Sequence, residues 1–164
     1  MKTKSIMLTA AFAALYAVLV FAFAGLSFGI VQVRVADALI PLSILLGWPA
    51  VFGVTIGCAI ANIVTPLPSV IADVTFGSIA NFIASISAWR VSLLKVGRAG
   101  ELFGCIIATL TVTFIVGTYL AAVTAMDPWV WYTGVGGGSI ISISILGFAL
   151  LNILRGLKIR MVSS

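Results

Sequence analysis

The sequence predicts an all-α integral membrane protein with six transmembrane helices and both termini in the cytoplasm. Three observations carry that expectation. Of the 164 residues, 62% are hydrophobic and only 8% are charged, whereas about a quarter of an ordinary soluble domain is charged. The mean hydropathy is +1.29, more apolar surface than one small globule can hide from water. Long apolar runs, broken by short polar stretches, approach the roughly 20 residues a helix needs to cross hydrocarbon. Residues 1–164 are therefore read as a single transmembrane domain.

The first run, Ser5–Phe28, follows Lys2 and Lys4. Ala22-Phe23-Ala24 resembles a signal cleavage site, but the run exceeds the roughly 7–15 residues of a signal core, so a retained helix is expected. A polar interruption, Gly29 to Asp37, precedes a short helix over Ala38–Gly47, which Trp48-Pro49 should end. The third helix is expected over Ala50–Val64, up to Thr65-Pro66-Leu67-Pro68-Ser69. Prolines so spaced cannot continue a helix and mark a tight loop. The fourth, Val70–Ala88, carries Asp73 in its first turn and Asn81 further in. Trp89 to Glu101, with Arg90, Lys95 and Arg98, reads as the longest polar connection. Helix five is expected over Leu102–Ala125, followed by an aromatic-rich loop from Met126 to Tyr132. Helix six, Val135–Leu154, begins within the glycines that precede Ser139 and leads to Arg155, Lys158 and Arg160.

Charge sets the expected orientation. With a cytoplasmic N-terminus, Lys2, Lys4, Arg90, Lys95, Arg98, Arg155, Lys158 and Arg160 face inward and only Arg34 faces out. Cytoplasmic loops carry just such an excess of Lys and Arg. The polar interruption, the proline loop, Asp73, Asp127 and the aromatic loop then gather at the outer face.

Several function classes fall away. The chain has no histidine, the commonest general base and a common zinc ligand. Cys58 and Cys105 stand alone in apolar stretches and read as small buried hydrophobes. No metal site and no cofactor is expected. The net charge of +5 belongs to helix ends and not to a nucleic-acid-binding face. No GxxxxGK[ST] phosphate loop occurs, so the chain itself should not hydrolyse ATP. With four acids in all, no credible acid–base pair can be assembled, and an enzyme is not expected.

The remaining polar residues have a structural and a functional reading. Arg34 and Asp37, three apart, form an interfacial ion pair or touch a polar ligand. Asp73 is a carboxylate near a span, where acids usually face a cavity or a partner, or it stabilises the helix start. Asn62 and Asn81 hydrogen-bond between helices, Asn62 being the better placed for a site. Trp129, Trp131 and Tyr132 form an interfacial belt or stack on a planar ligand. Gly134 and Gly136–Gly138 permit a turn or bring backbone close to a ligand. Ala10, Ala13, Ala14 and Ala17 line one stripe of helix one, suited to close helix packing inside the protein or against another subunit.

Three ordered motifs resemble the QueT family across most of the chain: Gln32-Val33-Arg34-Val35-Ala36-Asp37-Ala38-Leu39, Gly57-Cys58-Ala59-Ile60-Ala61-Asn62, and Asp73-Val74-Thr75-Phe76-Gly77-Ser78-Ile79-Ala80. The resemblance implies a substrate-binding S component of an energy-coupling factor (ECF) transporter, a multi-pass protein of the cell membrane. Such a subunit would bind queuine or a related 7-deazaguanine near the outer face. It implies Gln32, Arg34, Asp37, Asn62, Asp73, Trp129, Trp131 and Tyr132 as substrate-binding candidates. It also implies that Ala10, Ala14 and Ala17 contact the transmembrane coupling subunit, which two separate ATPase subunits energise. The alternative is a stand-alone ion-coupled secondary transporter of a small polar solute with Asp73 as its coupling acid, although no inverted repeat is evident.

Overall fold

The computed structural model describes residues 3–94 and 97–157. Lys2, Lys95, Lys158 and Arg160, used above for orientation, lie outside them. Six helical segments follow one another: α1 Thr3–Ala22, α2 Val35–Leu46, α3 Trp48–Asn62, α4 Val70–Ser92, α5 Gly97–Thr124 and α6 Pro128–Gly156. A short helical turn, Ala24–Ser27, follows α1. Four of them, α1, α4, α5 and α6, are long and apolar enough to cross a membrane. The protein is a multi-pass membrane protein.

Several boundaries differ from the sequence reading, each for a local reason. The first helix stops at Ala22, and the separate helical turn Ala24–Ser27 stands where its last turns were expected. The second and third helices part at Gly47 and not at Trp48-Pro49. Gly47 adopts φ +62°, which glycine reaches without a Cβ penalty. Pro49 then sits in the first turn of α3, where its missing N–H costs nothing. The expected polar connection shrinks because Arg90 belongs to α4 and Arg98 and Glu101 to α5.

The aromatic stretch is helix, not loop. Asp127 accepts a hydrogen bond from the Trp129 backbone N–H at 2.8 Å, and Pro128 occupies the first turn. These are two standard start signals, and they move the beginning of α6 ahead of the expected Val135. Within α6, Ile140–Gly147 takes the wider π-helical form. Opposite it, α2 begins as a tight 3-10 helix over Val35–Leu42, and these two non-α stretches pack together.

The principal helix contacts are α4 with α5, α1 with α3, α3 with α4, and α5 with α6. The first part of α2 is enclosed by the others, with Ala36 through Leu42 all buried. Tyr16, Ile40, Leu120, Ile143 and Leu151 fill the interior. Ile71, Leu110, Phe114 and Ile145 are exposed on the outside, a distribution that hydrocarbon, not water, accommodates. The 29–34 and 63–69 connections and the α5–α6 junction lie at one end of the helices. Lys4, Arg90, Arg98 and Arg155 belong to the opposite ends. There the Arg155 guanidinium pairs with the buried carboxylate of Glu101.

Candidate functional site

The stretch from Ile30 to Arg34 runs across α6 because two glycines leave it room. A Cβ on Gly138 would stand 1.8 Å from the Gln32 carbonyl oxygen, and one on Gly134 would stand 2.1 Å from that of Ile30. Gly134 and Gly138 are four apart and share one helix face. The glycines therefore serve a backbone-to-backbone contact, neither a turn nor a ligand. Arg34 is extended, with φ −87° and ψ 92°. In extended chain, side chains two apart point the same way, so Gln32 and Arg34 share a side.

That side is interior. Gln32 is 4% exposed and Arg34 5%. The Arg34 guanidinium lies over the Phe28 ring, 5.4 Å from its centroid, and its Nη1 points at the Cys58 sulfur at 3.8 Å. One turn on, the Asp37 backbone N–H donates to the Arg34 carbonyl at 2.9 Å and fixes their relative placement. Asp37 does not pair with Arg34. Its Oδ1 accepts from the Tyr16 hydroxyl at 2.5 Å, and that hydroxyl in turn accepts from Asn81 Nδ2 at 2.9 Å.

A second set adjoins the first. Asn62 Nδ2 donates to the Asp73 carbonyl at 2.9 Å and lies 3.6 Å from the Cys58 sulfur. The Asp73 carboxylate accepts from the Tyr119 hydroxyl. Ser69 caps α4 by accepting from the Ala72 N–H at 3.3 Å, which places Asp73 in the first turn. Both carboxylates are thus held by tyrosines from other helices. Cys58, expected to act as a small hydrophobe, is buried but also receives two N–H groups.

Beside the first set lies a cavity of about 10 Å³, lined by Gln32, Arg34, Asp37 and Asn81 together with Val112, Val116, Val135 and Ser139. That is about the space of one water molecule, so a larger ligand must part the walls. The irregular 29–34 stretch is the wall with the fewest regular hydrogen bonds to give up. Among the described residues, no three His, Cys, Asp or Glu side chains gather as a metal site would require.

Of the sequence candidates, Gln32, Arg34 and Asp37 line the cavity, and Asn62 and Asp73 belong to the adjoining set, joined to Arg34 through the Cys58 sulfur. The three aromatic candidates do not line the cavity. Trp129 is 73% exposed, Trp131 is buried with its Nε1 donating to Thr124 Oγ1 at 2.8 Å, and Tyr132 stacks on Phe114 at 6.3 Å. The helical form of this stretch turns their side chains in different directions. Tyr16 and Tyr119 join the cluster although nothing singled them out; each is a hydroxyl in an apolar helix, which needs a partner when buried. On α1, Ala10 and Ala14 are exposed, but Ala17 is 6% exposed. It sits at the edge of the inward arc formed by Phe12, Ala13, Tyr16 and Val20.

A family model described as QueT transporter matches residues 6–156. No curated protein and no solved structure matches the chain.

Proposed function

The chain belongs to the QueT transporter family, and from that premise we propose that it is the membrane-embedded substrate-binding subunit of an ECF-type importer. It takes a queuosine precursor, queuine or a related 7-deazaguanine, from the outer face. It works with a transmembrane coupling subunit and two ATPase subunits. All six helical segments lie across the bundle with both termini cytoplasmic, and α2, enclosed by its neighbours, need not match the lipid thickness.

One observation carries the reading. A small cavity, lined by the polar side chains of Gln32, Arg34, Asp37, Asn81 and Ser139 together with three valines, lies towards the end of the bundle away from the described basic residues. By the positive-inside rule that end is the outer one. Buried polar groups in a span are costly and generally serve a ligand or pathway. The valines offer the faces of a planar base an apolar surface, and Asp37 can accept hydrogen bonds from its guanine-type N–H edge.

Mass spectrometry of small molecules extracted from the purified protein, together with titration of queuine, tests the proposal. A deazaguanine should copurify. Asp37→Asn should weaken queuine binding about 30-fold or more, the lower end of the roughly 2–5 kcal/mol lost when a buried charged partner is removed. If both Asp37→Asn and Asp73→Asn bind like the parent, the carboxylates serve only to hold Tyr16 and Tyr119, and the site lies elsewhere. Uptake that persists in cells lacking the coupling and ATPase subunits would instead support the stand-alone transporter.

A further inference from the structure

Hydrogen-bond accounting around the cavity leaves an imbalance. Asp37 Oδ1 is taken by Tyr16, the Asn81 amide donates to the same hydroxyl, and Asp73 Oδ1 is held by Tyr119; Asp73 Oδ2 and Asn62 Oδ1 have no partner but do not line the cavity. Two cavity-lining nitrogens have no partner, Gln32 Nε2 and Arg34 Nη2. Among the described residues, no carboxylate lies within ion-pairing distance of Arg34; the one ion pair found joins Arg155 and Glu101. A buried guanidinium without an anionic or strongly polar acceptor is expensive. An amide can turn over to offer its oxygen, but a guanidinium has only donors. Arg34 therefore fixes the sign of what the cavity lacks.

We infer that Gln32 and Arg34 form a donor pair that selects ligands by a hydrogen-bond acceptor, an oxo group on the planar ring. The inference rests on the deazaguanine reading above and names the atom by which that ligand is distinguished. In a 7-deazaguanine the acceptor is the ring carbonyl at position 6, on the same edge as the N–H groups that a carboxylate would accept. The two residues are two apart in one extended segment, so both donors come from the same side of the chain. A ligand with an amino group in place of the carbonyl would bring donors against donors and leave buried N–H groups unpaired. Sites built to hydrogen-bond a polar substrate group discriminate strongly against analogues that cannot make that bond.

The test uses two probes, 7-deazaguanine and 2,6-diamino-7-deazapurine, titrated separately into the purified chain. The parent should favour the oxo compound by about 100-fold or more, a conservative figure for a site that hydrogen-bonds its substrate. Gln32→Glu exchanges a donor for an acceptor and should cut that ratio at least about tenfold, as should Arg34→Gln, which removes the fixed charge. The readout is a ratio of two affinities within one protein, so a general weakening of the fold does not mimic it. Equal binding of the two probes by the parent would overturn the donor-pair inference while leaving the deazaguanine reading intact. So would variants that keep the parent's ratio. If the parent binds neither probe nor queuine, the substrate reading fails and takes the inference with it. Should Arg34→Gln not fold, the parent's ratio and Gln32→Glu still decide.

Discussion

Gly138→Ala is the perturbation that most directly tests how the site is built. The new methyl carbon would lie 1.8 Å from the Gln32 carbonyl oxygen, 2.4 Å from its carbon and 3.0 Å from the Val33 nitrogen. Ordinary carbon–oxygen contact needs about 3.5 Å, so the segment carrying Gln32 and Arg34 must retreat by roughly 1.5 Å. None of the three is the flexible tip of a side chain; all are backbone. Two effects oppose each other. Alanine is favoured over glycine by about 1 kcal/mol inside a helix, while overpacking costs typically 1–3 kcal/mol. A clash of this depth against backbone should fall at the upper end, for a net loss of about 1–2 kcal/mol. Binding should suffer more than stability, because a misplacement of about 1 Å can cost two orders of magnitude where groups must be aligned. Gly137→Ala is the internal control, since nothing lies within 4 Å of its Cβ position. Thermal unfolding in detergent and queuine titration of both variants give the answer. The expected result is a Gly137→Ala protein at least as stable as the parent and a Gly138→Ala protein that binds at least about tenfold more weakly. If the two variants behave alike, the Ile30–Arg34 segment does not rest on α6 as described.

Two further outcomes are expected. Cysteines introduced at Thr3 and Arg98 should be protected from an impermeant reagent outside intact cells, and one at Met126 should react; the native Cys58 and Cys105 are buried, and outside labelling at Arg98 would refute the proposed orientation. Ala14→Trp, on the exposed face of α1, should leave queuine binding intact and block uptake; if binding falls in parallel with uptake, the stripe packs within the protein instead.

The helical class was legible because it follows from solvent: so apolar a chain must satisfy its backbone internally, and helices do so locally. Boundaries were less legible, since their signals compete. Trp48-Pro49 reads as a stop, yet proline is equally at home in a first turn, and Gly47 had already broken the chain. Asp127-Pro128 is a helix start of the same kind, but the aromatics and glycines that follow it hid the signal. Glycine is a poor helix former in isolation; at 134 and 138 its lack of a side chain instead admits a neighbouring segment, a tertiary reason that local reading does not contain.

The site was legible in its residue types but not in its pairing. Polar side chains stand out in apolar helices, and Gln32, Arg34, Asp37, Asn62 and Asp73 were visible for that reason. Their bonds run between positions far apart in the chain: Tyr16 with Asp37, Asn81 with Tyr16, Tyr119 with Asp73. Without those distances the natural pairing was Arg34 with Asp37, three residues apart, with Trp129, Trp131 and Tyr132 as candidates to stack on the ligand. The tyrosines change that assignment. Each tyrosine takes one carboxylate oxygen, neither carboxylate pairs with Arg34, and on the proposed reading the ligand supplies the acceptor that the buried guanidinium requires. On the same reading the aspartates matter too, because an acceptor edge beside a donor pair suits a ring that presents both polarities. A guanine-type edge has its acceptor at one end beside two donors, whereas a ring with amino groups at both positions has its acceptor between them.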